Sequence, residues 1–150
     1  RYEDVGRQVP RMTRPPPQVL GFTSENDFKA YFFKHFVWAK VFASRGGTQV
    51  RVIFTAHNWA HVFWRNGQYF DLERAERMPW IFEALQRPEE IRQAHVKGRE
   101  VYLLTGSGWG EDFAVVIQPP NRKGVSHFIT AYSAGTSTIL KIRTNPRIWP

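Results

Sequence analysis

The stretch TAHNWAHVFWRNG (55–67) places His57 and His61 four residues apart. On a helix that spacing turns both rings to one side, and imidazole titrates near neutral pH. Three chemistries fit such a pair. It could ligate a metal, share acid and base work on a substrate, or pack at the edge of an aromatic core. Asn58 follows His57, so the zinc-protease pattern His-Glu-x-x-His lacks its general base here. Few carboxylates lie nearby to complete a ligand set. Cysteine is absent from the chain, which removes thiolate zinc sites and disulfide scaffolds. No metal and no cofactor are therefore expected. Packing stays open, because Trp59, Val62 and Phe63 share the segment.

Cleavage of RNA by its own 2′-hydroxyl needs a base, an acid and cations around the phosphate, and no metal. His61 is the first candidate for base or acid, with His57 the second. Arg77 or Arg74 could stabilise the developing charge, and Arg65, Arg74 and Arg51 could hold the substrate. Arg74 and Arg77 also flank Glu73 and Glu76, so pairing with acids is the competing expectation. In GVSHFITAY (124–132), alternate residues of a strand face opposite sides. Ser126, Phe128, Thr130 and Tyr132 would then share one face. Val125, His127, Ile129 and Ala131 would share the other, which reads as a core face burying His127. The hydroxyls of Thr130 and Tyr132 could hydrogen-bond a phosphate side by side, with Ser126 beside them on the substrate.

The whole chain supports a polyanion as the partner. Its 150 residues carry 21 Lys and Arg against 13 Asp and Glu, a net charge of +8. Such a surface attracts nucleic acid through phosphate contacts and counterion release. Hydrophobic residues make up 42% and aromatics 15%, enough apolar surface to require a compact core. No apolar run approaches the ~18–20 residues of a membrane helix, so no membrane segment is expected. The chain opens without Met on a polar, proline-rich stretch. This is read as a domain at the end of a longer polypeptide.

These residues need elements to position them. Residues 1–22, with Pro10, Pro15, Pro16 and Pro17, read as an extended arm. Ser24 opens a helix with Glu25 and Asp27 in its first turn. Phe28, Phe32, Phe36 and Ala39 recur at helical spacing, predicting a helix to about Phe42 that stops before Gly46-Gly47. Residues 50–54 alternate as a short strand, and 56–65 form the helix of the histidines. A second helix over 71–86 should break near Met78 because of Pro79, and Pro88-Glu89-Glu90 looks like a further helix start. From Arg99 the period becomes two: REVYLLT, EDFAVVIQ and VSHFITAYS are strands, with TSTILKIR a fourth. The class is α+β, with N-terminal helices packed on a four- to five-stranded antiparallel sheet. One domain covers 1–150, with the arm at 1–22, an extra helix in 23–48 and the core at 49–143.

The order of His61, ALQRPEEI (84–91), REVYLL, DFAVVIQ and FITAY (128–132) resembles the phage-type barnase/EndoU/colicin/RelE-like (BECR) nucleases. The resemblance covers about half the chain. In that family a His sits on an early helix, a Pro-acid-x-Ile stretch follows a helix, and the last strand carries Thr or Ser near an aromatic. The resemblance implies a BECR-like fold and a metal-independent endoribonuclease. It further implies a bacterial or phage toxin domain that acts in the cytoplasm on cellular RNA such as tRNA. Such a domain would be delivered within a larger polypeptide and neutralised by an acidic immunity protein. Other functions stay open. A non-enzymatic nucleic-acid-binding module would use its aromatics to stack on single-stranded bases. An ADP-ribosyltransferase toxin is suggested by GTSTIL (135–140), which resembles the Ser-Thr-Ser strand of that family. That scheme needs a downstream Glu, and the last acidic residue here is Asp112. A phage structural or interaction domain would keep the fold without chemistry.

Overall fold

A computed structural model describes residues 17–105 and 110–150. Most of the arm expected over 1–22, and residues 106–109 of the Gly-rich connection, lie outside the described residues. The first helix, α1 (Glu25–Phe32), starts where the Ser24 hydroxyl accepts the Asp27 N–H at 3.2 Å. It continues into a single π-helical segment, Phe33–Val37, closed by the Trp38 N–H donating to the Phe33 carbonyl at 2.8 Å. There it ends, short of the expected Phe42. Residues Val41–Arg45 form strand β1 instead, paired antiparallel with β2 (Thr48–Ile53). The glycine pair expected to stop a helix makes this hairpin's turn. Gly46 and Gly47 have φ of 58° and 90°, the left-handed backbone a two-residue hairpin loop requires.

Thr55 and Asn58 cap one another's backbone at the start of α2 (Ala56–Val62), the helix of the histidines. A short hairpin of β3 (Trp64–Arg65) and β4 (Tyr69–Phe70) leads to α3 (Leu72–Glu76) and α4 (Met78–Gln86). The break between them falls where Pro79 predicts it. The proline sits in the first turn of α4, where its missing N–H has no intrahelical partner to lose.

The remaining elements are β5 (Glu90–Gln93), β6 (Glu100–Leu104), β7 (Asp112–Ile117), β8 (Val125–Ala134), α5 (Thr136–Ile142) and β9 (Arg147–Trp149). Two expectations are overturned here. The Pro-Glu-Glu helix start is the beginning of strand β5, which pairs with both β6 and β9. TSTILKIR is the helix α5, whose buried residues Ile139 and Ile142 are three apart. The strand likeness behind the ADP-ribosyltransferase alternative goes with it.

Seven strands form one sheet in the order β1-β2-β8-β7-β6-β5-β9. The α+β class holds, but the sheet is larger than expected and mixed, because β2 and β8 run parallel. It is also curled. Arg45 of β1 reaches across to Glu100 of β6 at 2.7 Å, and the Gly46 turn lies against the Trp149 indole of β9. The concave face holds the main core. Phe28, Phe32 and Phe36 are fully buried there, and Phe36 stacks on Phe82 of α4 with centroids 4.3 Å apart. The N-terminal segment expected as an extra helix thus supplies the centre of the core. Truncating a buried Phe of this kind costs about 3–5 kcal/mol. On the convex face a smaller cluster joins Val101, Leu103, Ala114 and Val116 to Ile139 and Ile142 of α5.

A bulge corrects the expected faces of β8. Val116 opposes Thr130 while Ile117 opposes Phe128, so Ile129 has no opposite residue. Side-chain alternation reverses across such an insertion. Phe128 and Ala131 therefore both enter the concave core, and Ile129 and Tyr132 pack against the convex cluster. His127 is exposed rather than buried, and Ser126 is buried.

Candidate functional site

Strand β8 is paired with β2 only through Val125–His127, so its second half needs other cover on that side. Helix α2 supplies part of it, where the Asn58 side-chain amide donates to the Phe128 carbonyl at 3.2 Å. Nearby opens a cleft of about 330 Å³, lined by Arg65, Asp71, Glu73, Arg74, Tyr132 and Ser133. Sequence reading proposed three of these six: Arg65, Arg74 and Tyr132.

Asp71 organises the cleft. It is buried, caps α3 by accepting the Arg74 N–H at 3.1 Å, and lies 3.3 Å from Arg65 and 3.6 Å from Arg74. Arg74 also donates from Nη1 to the carbonyl of Val62, the last residue of α2, at 2.8 Å. A cation at a helix C-terminus meets the negative end of the dipole. Arg65 stays largely open to solvent, with Glu73 3.9 Å away. The hydrogen bond it donates to Asp71 raises its already high pKa.

Tyr132 and Ser133 reach the cleft from β8. Burial raises the Tyr132 pKa, against the opposing pull of Arg74. Its hydroxyl therefore stays protonated, a donor across the neutral range. Ser133 donates to Glu111 at 2.7 Å, and Glu111 accepts from Arg77 Nε at 2.7 Å. Arg77 also bonds the Glu73 carbonyl at 2.9 Å and lies 5.6 Å over the Trp80 ring. It is engaged within the fold and does not line the cleft. The expected acid pairing is present, with Glu76 3.8 Å away, and the closer partner is Glu111, which no local spacing could indicate.

The histidines are not in the lining of the cleft. His57 and His61 are exposed on α2, with ring centroids 4.1 Å apart and planes tilted by 36°. Neither ring has a hydrogen bond or ion pair among the described residues. His61 immediately precedes Val62, so it is the histidine at the cleft end of the helix, and His57 is one turn farther back. Among the described residues no group of three or more His, Asp or Glu side chains could hold a metal.

Three other sequence candidates lie elsewhere. The Ser126 hydroxyl is buried and donates to the Gln118 carbonyl. Arg51 opposes Phe42 across the β1–β2 ladder, and its Nε is buried without a partner. Thr130 lines a separate cavity on the convex face, which Tyr132 shares. Sequence reading missed Asp71, Glu73 and Ser133. Asp71 carried a usable signal, an acid directly before a helical stretch. Comparison of the chain with known protein families, curated proteins and solved structures finds no match.

Proposed function

We propose that this domain is a metal-independent endoribonuclease that cleaves RNA by transesterification at the cleft between β3, α3 and β8. One observation supports this most. His61 sits one residue before the end of the helix whose last carbonyl is held by a cleft arginine, and His57 is exposed beside it one turn back. This reading assigns an acid, a base and fixed cations to one rim.

In this reading His61 and His57 divide the base and acid roles. Attack by a 2′-hydroxyl on the adjacent phosphorus releases the 5′-oxygen and leaves a cyclic phosphate. One imidazole removes the hydroxyl proton, and the other, as imidazolium, protonates the leaving oxygen. Arg65 and Arg74 face the phosphate, and Tyr132 donates to a non-bridging oxygen. Arg77 is structural in this reading, holding Glu111, which accepts from Ser133. The lining of the cleft balances its own charges, two arginines against Asp71 and Glu73. Attraction of the polyanion is left to the +8 net charge of the chain.

A cytotoxic role, with an acidic immunity protein masking this rim, follows from the same proposal. The test is incubation of purified protein with total cellular RNA in excess EDTA. Cleavage under chelation supports the proposal, and intact RNA removes it.

A further inference from the structure

The convex face carries a second cavity, of about 220 Å³, whose chemistry the cleft does not use. Its apolar side includes Val101 and Val116 and the Tyr132 side chain, and its polar side is His95, Arg99 and Thr130. None of these three polar side chains has a hydrogen bond or ion pair among the described residues. Arg51, Arg122 and Arg147 likewise have no acid partner among the described residues, but most arginines of the fold do. Arg45, Arg65, Arg74, Arg77, Arg92 and Arg143 are all matched to acids. The cavity is thus an almost wholly apolar floor bordered by a cation, an imidazole and a hydroxyl, the composition of a small ligand pocket. The cavity is smaller than the ~300–1,000 Å³ of drug-sized sites, which suits a single ring system carrying an anionic group.

We infer that this pocket binds one nucleotide of the RNA strand, with its base between the valines and the Tyr132 ring and its phosphate on Arg99 and His95. The inference rests on the ribonuclease proposal for the identity of the ligand. Thr130 offers a hydroxyl to the base edge or the ribose. Tyr132 is the shared wall, since it lines both this pocket and the cleft. A strand passing over β8 would thus place one nucleotide here and the neighbouring phosphodiester at the cleft. The selectivity for single-stranded RNA follows, because a paired base could not enter.

The test is a titration of the isotopically labelled protein by nuclear magnetic resonance. The probes are uridine monophosphate, adenosine monophosphate and inorganic phosphate, used separately. Expected are amide shifts at 94–99 and Thr130, with a nucleotide binding at least about tenfold more tightly than phosphate. Arg99→Gln and Thr130→Val should each weaken the nucleotide, the former about tenfold. Lys29→Gln, which removes equal charge outside the pocket, should not. Shifts confined to other residues, or equal affinity for nucleotide and phosphate, would overturn the inference. Because binding is read without cleavage, nucleotide in the pocket with RNA left intact would retain the site and discard the nuclease.

Discussion

Arg74 Nη1 and the Val62 carbonyl are 2.8 Å apart, so one guanidinium lines the cleft and closes the end of the histidine helix. This bond ties the position of His61 to that of the proposed phosphate site. Arg74→Ala should destabilise the fold by about 1–3 kcal/mol and reduce RNA cleavage by about a hundredfold. Arg74→Lys keeps the charge but not the fork that bridges Val62 and Asp71, and should recover stability only in part. Urea midpoints beside single-turnover rates check both.

Arg77 gives the opposite pattern. Its bonds to Glu111 and to the Glu73 carbonyl, with its place over Trp80, make it a structural residue. Arg77→Ala should lose about 2–3 kcal/mol, seen as a lowered thermal midpoint. Any activity that survives should track the folded fraction. A fully stable Arg77→Ala protein without activity would put its guanidinium on the substrate instead.

The elements legible in the sequence were those whose pattern is local. The Ser24 cap, the break at Pro79 and the three strands after Arg99 were all of this kind, as was the histidine helix, expected over 56–65 and ending at Val62 before the strand Trp64–Arg65. What escaped depends on distant partners. Val41–Arg45 carries Phe42 and Ala43 at spacings that continue the α1 stripe, and only pairing with β2 makes it a strand. Glu90 follows Pro88 as a helix start would, yet its ion pairs to Arg92 and Arg143 place it in a sheet. The faces of β8 were misjudged because the bulge at Ile129 exists only against β7. The site divides the same way. The histidine pair and its geometry were readable, whereas Asp71, Ser133 and the pairing of Arg77 with Glu111 needed the fold.

Gly46 should tolerate no side chain. Its φ is positive, and a Cβ there would meet Trp149 Cδ1 at 2.8 Å. Gly46→Ala should cost about 2–3 kcal/mol from backbone strain and displacement of the indole. Gly47 shares the positive φ but faces open space, so Gly47→Ala should cost less. Chemical denaturation of both variants measures the difference, which isolates the contact between the β1–β2 turn and β9.

Acid should weaken the fold through Glu90. Burial pushes its carboxyl up, but the bonds from Arg143 and Arg92 outweigh this and hold it below the ordinary value of 4.5. A depressed folded pKa stabilises above the unfolded value. Its contribution is therefore complete above about pH 5 and is lost as the pH falls through the folded value. Glu90→Gln should flatten the stability profile over that acid range and destabilise at neutral pH. A profile unchanged by the substitution would show that other carboxylates govern acid unfolding.

The most direct measurement is the chemistry of the RNA ends. Total RNA is incubated in EDTA with wild-type protein and with His61→Ala, after the variant's circular dichroism and melting are matched to the wild type. The prediction is discrete fragments ending in 2′,3′-cyclic phosphate with the wild type, and a loss of at least about a hundredfold with the variant. Equal cleavage by a folded His61→Ala protein, or RNA left intact by the wild type, would contradict the assignment of His61 and its cleft to catalysis.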